Sequence, residues 1–307
     1  MRVLVSGSSG LIGTALTARL GAEGHSVVRL VRGTGPSRRP TDGVHWDPAG
    51  GTLDRDALER SGPYDAVVNL AGAGIGDRRW SPARKRLILE SRIQSTTLLV
   101  ESLLALSSAP SALVSASAVG VYGIRGDEEL TEQSGAGSDF LADVGQAWEA
   151  AASPAADAGI RTVVVRTGIV LSRTGGALAK QLPLFRIGLG GRMGSGTQYR
   201  SWITLADEIG VIRHCIEDTD LSGPVNATAP SPATDGELAQ VLGRALRRPS
   251  ILPVPASALR LLLGPEMAEE LVLGGQRVLP AVLVSSGYAF VHAELDEAVR
   301  SVLAPIS

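Results

Sequence analysis

The sequence has a single cysteine, Cys215, which excludes an internal disulfide and a zinc site built from thiolates. Its four histidines give metal ligation little support. Among 29 basic residues only Lys85 and Lys180 are lysine, so a catalytic lysine has just two places to be. No stretch approaches the roughly 18 apolar residues of a membrane span. The most apolar region, 251–264, is broken by Pro253, Pro255 and Arg260. Excess charge is also missing. A formal net charge of −2 and a pI near 6.1 give no basic footprint for nucleic acid. Met1 leads straight into Arg2-Val3-Leu4-Val5, without an apolar signal region or a cleavage site. The expectation is a soluble, cytoplasmic chain that meets no membrane and no nucleic acid. With 307 residues, 44% of them hydrophobic, it is long enough for one large α/β domain carrying a smaller lobe, and disorder is excluded as its main state.

What the sequence does have is alternation. Short β-branched or apolar runs at 2–5, 26–31, 66–70, 112–117 and 162–165 read as strands. Between them, 13–23, 82–106 and 140–158 read as helices, with Pro154 predicted to kink or stop the last. In 82–106, Leu89, Ile93, Val100 and Leu104 share one helical face, interrupted by Thr97. This alternation predicts a parallel, doubly wound α/β sheet covered on both faces. After Gly168 glycines crowd together, from Gly175-Gly176 to Gly196, as expected of a loop-rich lobe over the carboxyl edge. A helix at 206–217, a short strand at 224–226, a connector at 249–255 and a helical unit after Asp235 complete the pattern.

Ser6-Gly7-Ser8-Ser9-Gly10-Leu11-Ile12-Gly13 follows the first strand and opens a helix. Glycines at spacing GxxGxxG let the backbone turn tightly and a pyrophosphate approach, while the helix N-terminus offers free N–H groups. The spacing predicts a dinucleotide site at Gly7, Ser9, Gly10, Leu11, Ile12 and Gly13. An NAD-preferring site usually adds an acid at the end of the second strand. Here no Asp or Glu stands between Ser26 and Arg39. Val31 and Arg32 end that strand instead, and Arg32, assisted by Arg38 and Arg39, suits a 2′-phosphate. The cofactor expected is NADP(H). The plainer alternative for Arg32 is a solvated loop arginine.

Further motifs extend the pattern. They are Asn69-Leu70-Ala71-Gly72, the run from Ser115 to Gly123, Arg79-Trp80 with Ser91-Arg92, Phe140-Leu141 with Trp148-Glu149-Ala150-Ala151, Gly190-Gly191 with Gly194-Ser195-Gly196, and Gly275-Gln276-Arg277-Val278-Leu279-Pro280. Together with the glycine loop they resemble the extended short-chain dehydrogenase/reductases, and within them an atypical epimerase-like subfamily, over nearly the whole chain. The resemblance implies a Rossmann-type doubly wound parallel sheet with a small C-terminal substrate lobe. It also implies cofactor contacts from Leu70, Ala71 and Gly72, from Arg92 toward a phosphate or ribose, and from Val170 against the nicotinamide. For Arg92 a structural ion pair is the other reading.

The resemblance also marks a gap. Such enzymes carry a Tyr-x-x-x-Lys pair for proton transfer, and here those positions are Leu141 and Gly145. Ser117 aligns with the serine that polarises a carbonyl, or is a strand-end hydroxyl bonded to backbone. Tyr122 has a phenol that would donate a proton, or packs under its loop. Lys85, Lys180 and Asp139 are weaker stand-ins. Gln198, Arg200 and Trp202 would meet substrate, or form a loop–core junction, while Thr204 replaces a histidine found in relatives and Asp207 remains. The expectation is an NADP(H)-dependent oxidoreductase or epimerase-like enzyme acting on a small carbonyl or hydroxyl substrate. The alternative is a non-catalytic NADP(H)-binding sensor or interaction protein. Residues 1–168, with 205–230 returning, are expected to form the nucleotide domain, and 169–204 with 231–307 the lobe. A homodimer is expected through the helices at 82–106 and 140–158, helped by Ala142, Ala147 and Ala150-Ala151-Ala152.

Overall fold

The computed structural model describes residues 1–33 and 43–304; Arg38 and Arg39 lie outside them. The chain runs β1 Arg2–Ser6, α1 Leu11–Ala22, β2 Ser26–Arg32, β3 Val44–Asp47, β4 Thr52–Leu53, α2 Arg55–Ser61, β5 Ala66–Asn69 and α3 Pro82–Leu104. Then come β6 Ala112–Ala118, β7 Glu129–Leu130, α4 Phe140–Asp157, β8 Arg161–Thr167, β9 Ile169–Leu171, α5 Gly176–Arg186, β10 Tyr199–Arg200, β11 Trp202–Thr204 and α6 Leu205–Glu217. β12 Gly223–Ala227, β13 Ala233–Thr234, α7 Asp235–Leu246, α8 Ala256–Leu263, α9 Pro265–Ala268, β14 Arg277–Val278, α10 Ala281–Ser285 and α11 Leu295–Leu303 follow. No helix among the described residues is long and apolar enough to cross a membrane.

The main sheet has eight strands in the order β12-β8-β6-β5-β1-β2-β3-β4. Every neighbouring pair is parallel except β3 and β4. This is the Rossmann-type doubly wound sheet. Its strand order reverses direction at β1, flanked by β2 and β5, so a crevice opens at the carboxyl ends there. Side chains alternate across β1. Val3 and Val5 pack with Leu16 and Leu20 of α1 and Val211, Ile212 and Cys215 of α6 on one face. Leu4 packs with Leu58 of α2 and Leu98, Leu99 and Leu103 of α3 on the other. A separate core joins α5, α7, α11 and β11 through Leu178, Phe185, Leu242, Val299 and Trp202.

Four local expectations need correction. The buried residues of α3 include Ile88, Ser95, Thr96, Leu99 and Leu103, while Leu104 is exposed. Hydroxyls enter the core because Thr96 Oγ1 accepts from Asn69 Nδ2 at 2.9 Å and from Trp148 Nε1 at 3.1 Å. Pro154 does not stop α4, which runs on to Asp157. So close to the helix end it removes only one backbone bond. The glycine-rich stretch contains a whole helix, α5. Ala142 and Ala152 are fully buried inside this chain, so they are not available to a dimer face.

Candidate functional site

The glycine loop is a backbone cradle. Gly7 has φ +66°, and a Cβ there would lie 2.6 Å from the Leu70 carbonyl. A Cβ on Gly13 would lie 2.2 Å from the Gly7 oxygen. Both positions require the missing side chain. Ser9 and Gly10 are exposed, while Leu11 and Ile12 are half-buried. Gly10 caps α1 without a side-chain hydrogen bond, and the first turn holds no acid, so its N–H groups remain open to an anion. Ser6 Oγ donates to Asn69 Oδ1 at 2.6 Å and accepts from Leu70 N, tying the end of β1 to the end of β5. Arg32 lies exposed at the end of β2, beside half-buried Val31. Its guanidinium has no partner among the described residues. These features fit a dinucleotide carrying a 2′-phosphate.

A cavity of about 160 Å³ opens at the carboxyl ends of β6 and β8. Its walls come from Ala118 and Val119, from Leu141, Gly145 and Trp148 of α4, from Thr167 to Ile169, and from Tyr199, Glu270 and Gln276. Arg92 is the main cation in it. Arg92 Nη1 donates to the carbonyls of Ala73 and Ile88, both at 2.9 Å, and the guanidinium lies 4.8 Å from the Trp148 ring. Burial first, then neighbouring Arg84, pushes Arg92 down to about 10. Gly72 makes room for it, since a Cβ there would lie 3.2 Å from Arg92 Cζ.

The expected proton-transfer groups stand elsewhere. Ser117 is buried and its hydroxyl donates to Glu149 Oε1 at 2.7 Å; Ala118 faces the cavity in its stead. Tyr122 is fully buried, donates to Asn226 Oδ1 at 2.7 Å and accepts from Arg166 Nη1 at 2.9 Å. Arg166 forks onto Glu149 at 2.9 and 2.8 Å. Burial opposes the Arg166 charge, but Glu149 and Tyr122 outweigh it and hold the guanidinium above its ordinary range. Burial likewise raises the Tyr122 phenol. The geometry makes this cluster a support under β6, β8 and β12.

Other candidates also have structural partners. Lys85 pairs with Glu266 and lies over the Phe140 ring, Lys180 Nζ donates to the Gly76 carbonyl at 2.7 Å, and Asp139 caps α4. Gln198 donates to the Met193 and Val272 carbonyls. Arg200 is bonded to Asp235 and to the carbonyls of Leu271 and Val272. Trp202 is buried, with Nε1 on Ser231 O. Asp207 accepts from Thr204 and from the backbone of Val291 and His292, anchoring the C-terminal segment. Leu70 and Ala71 border the glycine loop, and Val170 pairs with Ile203 while its neighbour Ile169 lines the cavity.

Two features of the cavity escape sequence reasoning. Leu141 and Gly145 do line it, but a Cβ on Gly145 would come within 2.9 Å of Val121 Cβ, so the wall is closed to a lysine. Glu270 enters from a π-helical turn, Glu269–Leu273, and accepts the Leu141 N–H at 2.9 Å. Glu269-Glu270 reads locally as a surface acid pair, so no sequence signal marks it.

Comparison with known proteins extends the geometry. An epimerase family protein of Mycobacterium tuberculosis is 45% identical over 298 residues, spanning 96% of this chain and 95% of that protein. The human epimerase family protein SDR39U1 is 38% identical over 309 residues, spanning 99% of this chain and 100% of its own. A crystal structure of human SDR39U1 isoform 2 with NADPH matches with a TM-score of 0.86 at 37% identity, covering 98% of this chain and 99% of that one. A nucleoside-diphosphate sugar epimerase from Corynebacterium glutamicum matches with a TM-score of 0.79 at 36% identity, covering 99% of this chain and 58% of that one. Residues 254–302 match a domain of unknown function, and residues 3–226 match the NAD dependent epimerase/dehydratase family model. By sequence, topology and loop geometry, this chain belongs to the NAD dependent epimerase/dehydratase family.

Proposed function

We propose that this chain is an NADP(H)-dependent oxidoreductase acting on a small, largely apolar carbonyl or hydroxyl compound. The observation that carries this reading is the cavity at the carboxyl ends of β6 and β8, on the same sheet edge as the glycine cradle. Gly7, Gly10, Gly13 and the first turn of α1 would hold the pyrophosphate. Arg32, unpartnered among the described residues, would hold the 2′-phosphate, and NADPH bound to the human relative agrees with that choice. Leu70, Ala71, Gly72 and Arg92 would contact the cofactor's adenosine and ribose. When bound, the nicotinamide would supply or take a hydride. The rest of the work falls to the walls: Ile75, Leu141, Val144, Trp148 and Leu271 exclude water and select apolar substrates. A sugar nucleotide is disfavoured. A diphosphate needs clustered cations, whereas Arg200 is spent on Asp235 and backbone carbonyls and Arg92 is half engaged.

One observation favours a second reading, NADP(H) binding without turnover. Leu141 and Gly145 carry no proton, and Ser117 and Tyr122 are bonded away from the cavity. The deciding experiment mixes purified chain with NADPH and a panel of small aliphatic and aromatic aldehydes and ketones, following loss of cofactor fluorescence. Steady oxidation with at least one carbonyl supports the enzyme. Tight NADPH binding with no oxidation across the panel supports the sensor.

A further inference from the structure

Of the residues lining the cavity, four carry side chains that titrate: Arg92, Tyr199, Arg200 and Glu270. Arg200 is buried against Asp235 and the carbonyls of its own lobe. Arg92 is a guanidinium, a poor proton carrier. Tyr199 lies against the Arg277 guanidinium, 5.2 Å from it. Glu270 is different. Its carboxyl is brought to the wall formed by Leu141, the residue standing where relatives of the resembled kind keep a tyrosine, and is fastened there by the Leu141 N–H at 2.9 Å. The N–H groups of Leu141 and Phe140 use only part of the four lone-pair positions on a carboxylate's two oxygens, so capacity remains for a substrate oxygen. The turn that delivers it is π-helical, a rare distortion that is frequent at functional sites.

We propose that Glu270 is the group that passes the proton in this cavity, replacing from the C-terminal segment the acid that α4 lacks. The proposal rests on the oxidoreductase reading above. With a carbonyl substrate the C=O π bond opens, the carbon takes a hydride, and the oxygen takes the proton of the Glu270 carboxyl. The carboxyl O–H bond breaks to leave a carboxylate, which water reprotonates. NADPH supplies the hydride and leaves as NADP⁺. In the reverse direction the carboxylate accepts the hydroxyl proton.

The surroundings hold the carboxyl above the ordinary glutamate range. Burial raises Glu270, and Asp139 at the cap of α4 and Glu266 of α9 push the same way. The N–H groups of Leu141 and Phe140 oppose them. The other charges packed around it are largely paired. Lys85 of α3 is on Glu266, Arg260 of α8 is on Glu269, Arg200 of β10 is on Asp235, and Arg92 of α3 faces the same cavity.

The carboxyl's charge also has a consequence that needs no substrate. An ionised Glu270 favours the cationic ring of NADP⁺ over the uncharged dihydronicotinamide ring of NADPH, so the ratio of the two affinities should shift with pH, on the order of three- to tenfold. The test uses the full chain, wild type and Glu270→Gln. The amide oxygen of glutamine still accepts from Leu141 N–H, so the fold is kept and only the proton is lost. Affinities for NADPH and NADP⁺ are titrated across the acidic-to-neutral range. In parallel, infrared difference spectra follow the protonated carboxyl band. The expected result is a pH-dependent ratio and a carboxyl band in the wild type, both gone in the variant, with NADPH affinity at neutral pH unchanged within about threefold. On any carbonyl the wild type reduces, Glu270→Gln should lose about 10²-fold or more in kcat, and Glu270→Asp should recover part of it. A pH step that survives in Glu270→Gln, or disappears only in Tyr199→Phe, overturns the assignment. Full turnover in Glu270→Gln overturns Glu270 and leaves the oxidoreductase reading standing. A wild type that binds NADPH but reduces nothing overturns both.

Discussion

The two walls of the cleft are built differently. At the β1–α1 turn the chain offers backbone: Gly7 and Gly13 have no room for a Cβ, and α1 begins with uncapped N–H groups. Across from it, residues 254–302 offer side chains, Glu270 and Gln276, on short irregular turns. The first wall tolerates almost no substitution because backbone meets backbone. The second is held by a few side-chain bonds, Leu141 N to Glu270 and the Ser201 hydroxyl to the Gln276 carbonyl and Val278 N–H. The proposed function places binding on the first wall and chemistry on the second.

The largest effect is expected from Gly13→Val. Its Cβ would sit 2.2 Å from the Gly7 oxygen, which no rotamer relieves. NADPH affinity should fall more than about 10²-fold, read by fluorescence titration. Retained affinity would mean that the cradle is not the binding wall.

The junction between the walls gives the next effect. Glu208 of α6 is wholly buried, accepts from Thr167 Oγ1 at 2.8 Å, and leaves Oε2 unpaired. Burial pushes its carboxyl up to about 7. Because the folded state then holds a proton that the unfolded chain has released, stability should fall as pH rises from the ordinary glutamate range through about 7. Above that it levels at a cost of about 3 kcal/mol. Urea denaturation of wild type and Glu208→Gln at several pH values checks this. The variant should lose the slope and be the more stable of the two at alkaline pH.

Arg32→Ala sharpens the binding side alone. A charge-assisted contact worth about 1.5–3 kcal/mol corresponds to roughly a tenfold to hundredfold loss of NADPH affinity. NADH affinity should be unchanged. Equal losses for both cofactors would show damage to the fold instead of a phosphate contact.

Smallest is Tyr122→Phe, which strips the hydroxyl shared by Asn226 and Arg166. Stability should drop by about 1–2 kcal/mol in a denaturant titration, with NADPH affinity unaltered. A turnover defect beyond that loss would return Tyr122 to the chemistry.

Much of the binding wall was legible. Strands β1, β5, β6 and β8 are apolar runs between helical patterns, and three glycines at fixed spacing announce a turn that only glycine can make. The opposite wall was not legible, for reasons visible in single residues. Ser117 and Ala118 are adjacent on a strand of period two, so neighbours face opposite ways, and the sequence does not say which meets the cavity. Tyr122 has the right chemistry, but its phenol donates to Asn226, 104 positions away, instead of to the cavity. Glu270 lies 129 positions from the N–H that holds it.

Hydrophobic period and local sterics make the doubly wound sheet and the glycine cradle readable from the chain alone, while the missing Tyr-x-x-x-Lys pair is read from the family resemblance. Only the tertiary structure decided which groups face the cavity. Long-range packing turned Ser117 toward Glu149, sealed Tyr122 under Arg166, closed position 145 with Val121, and brought Glu270 to the wall of α4.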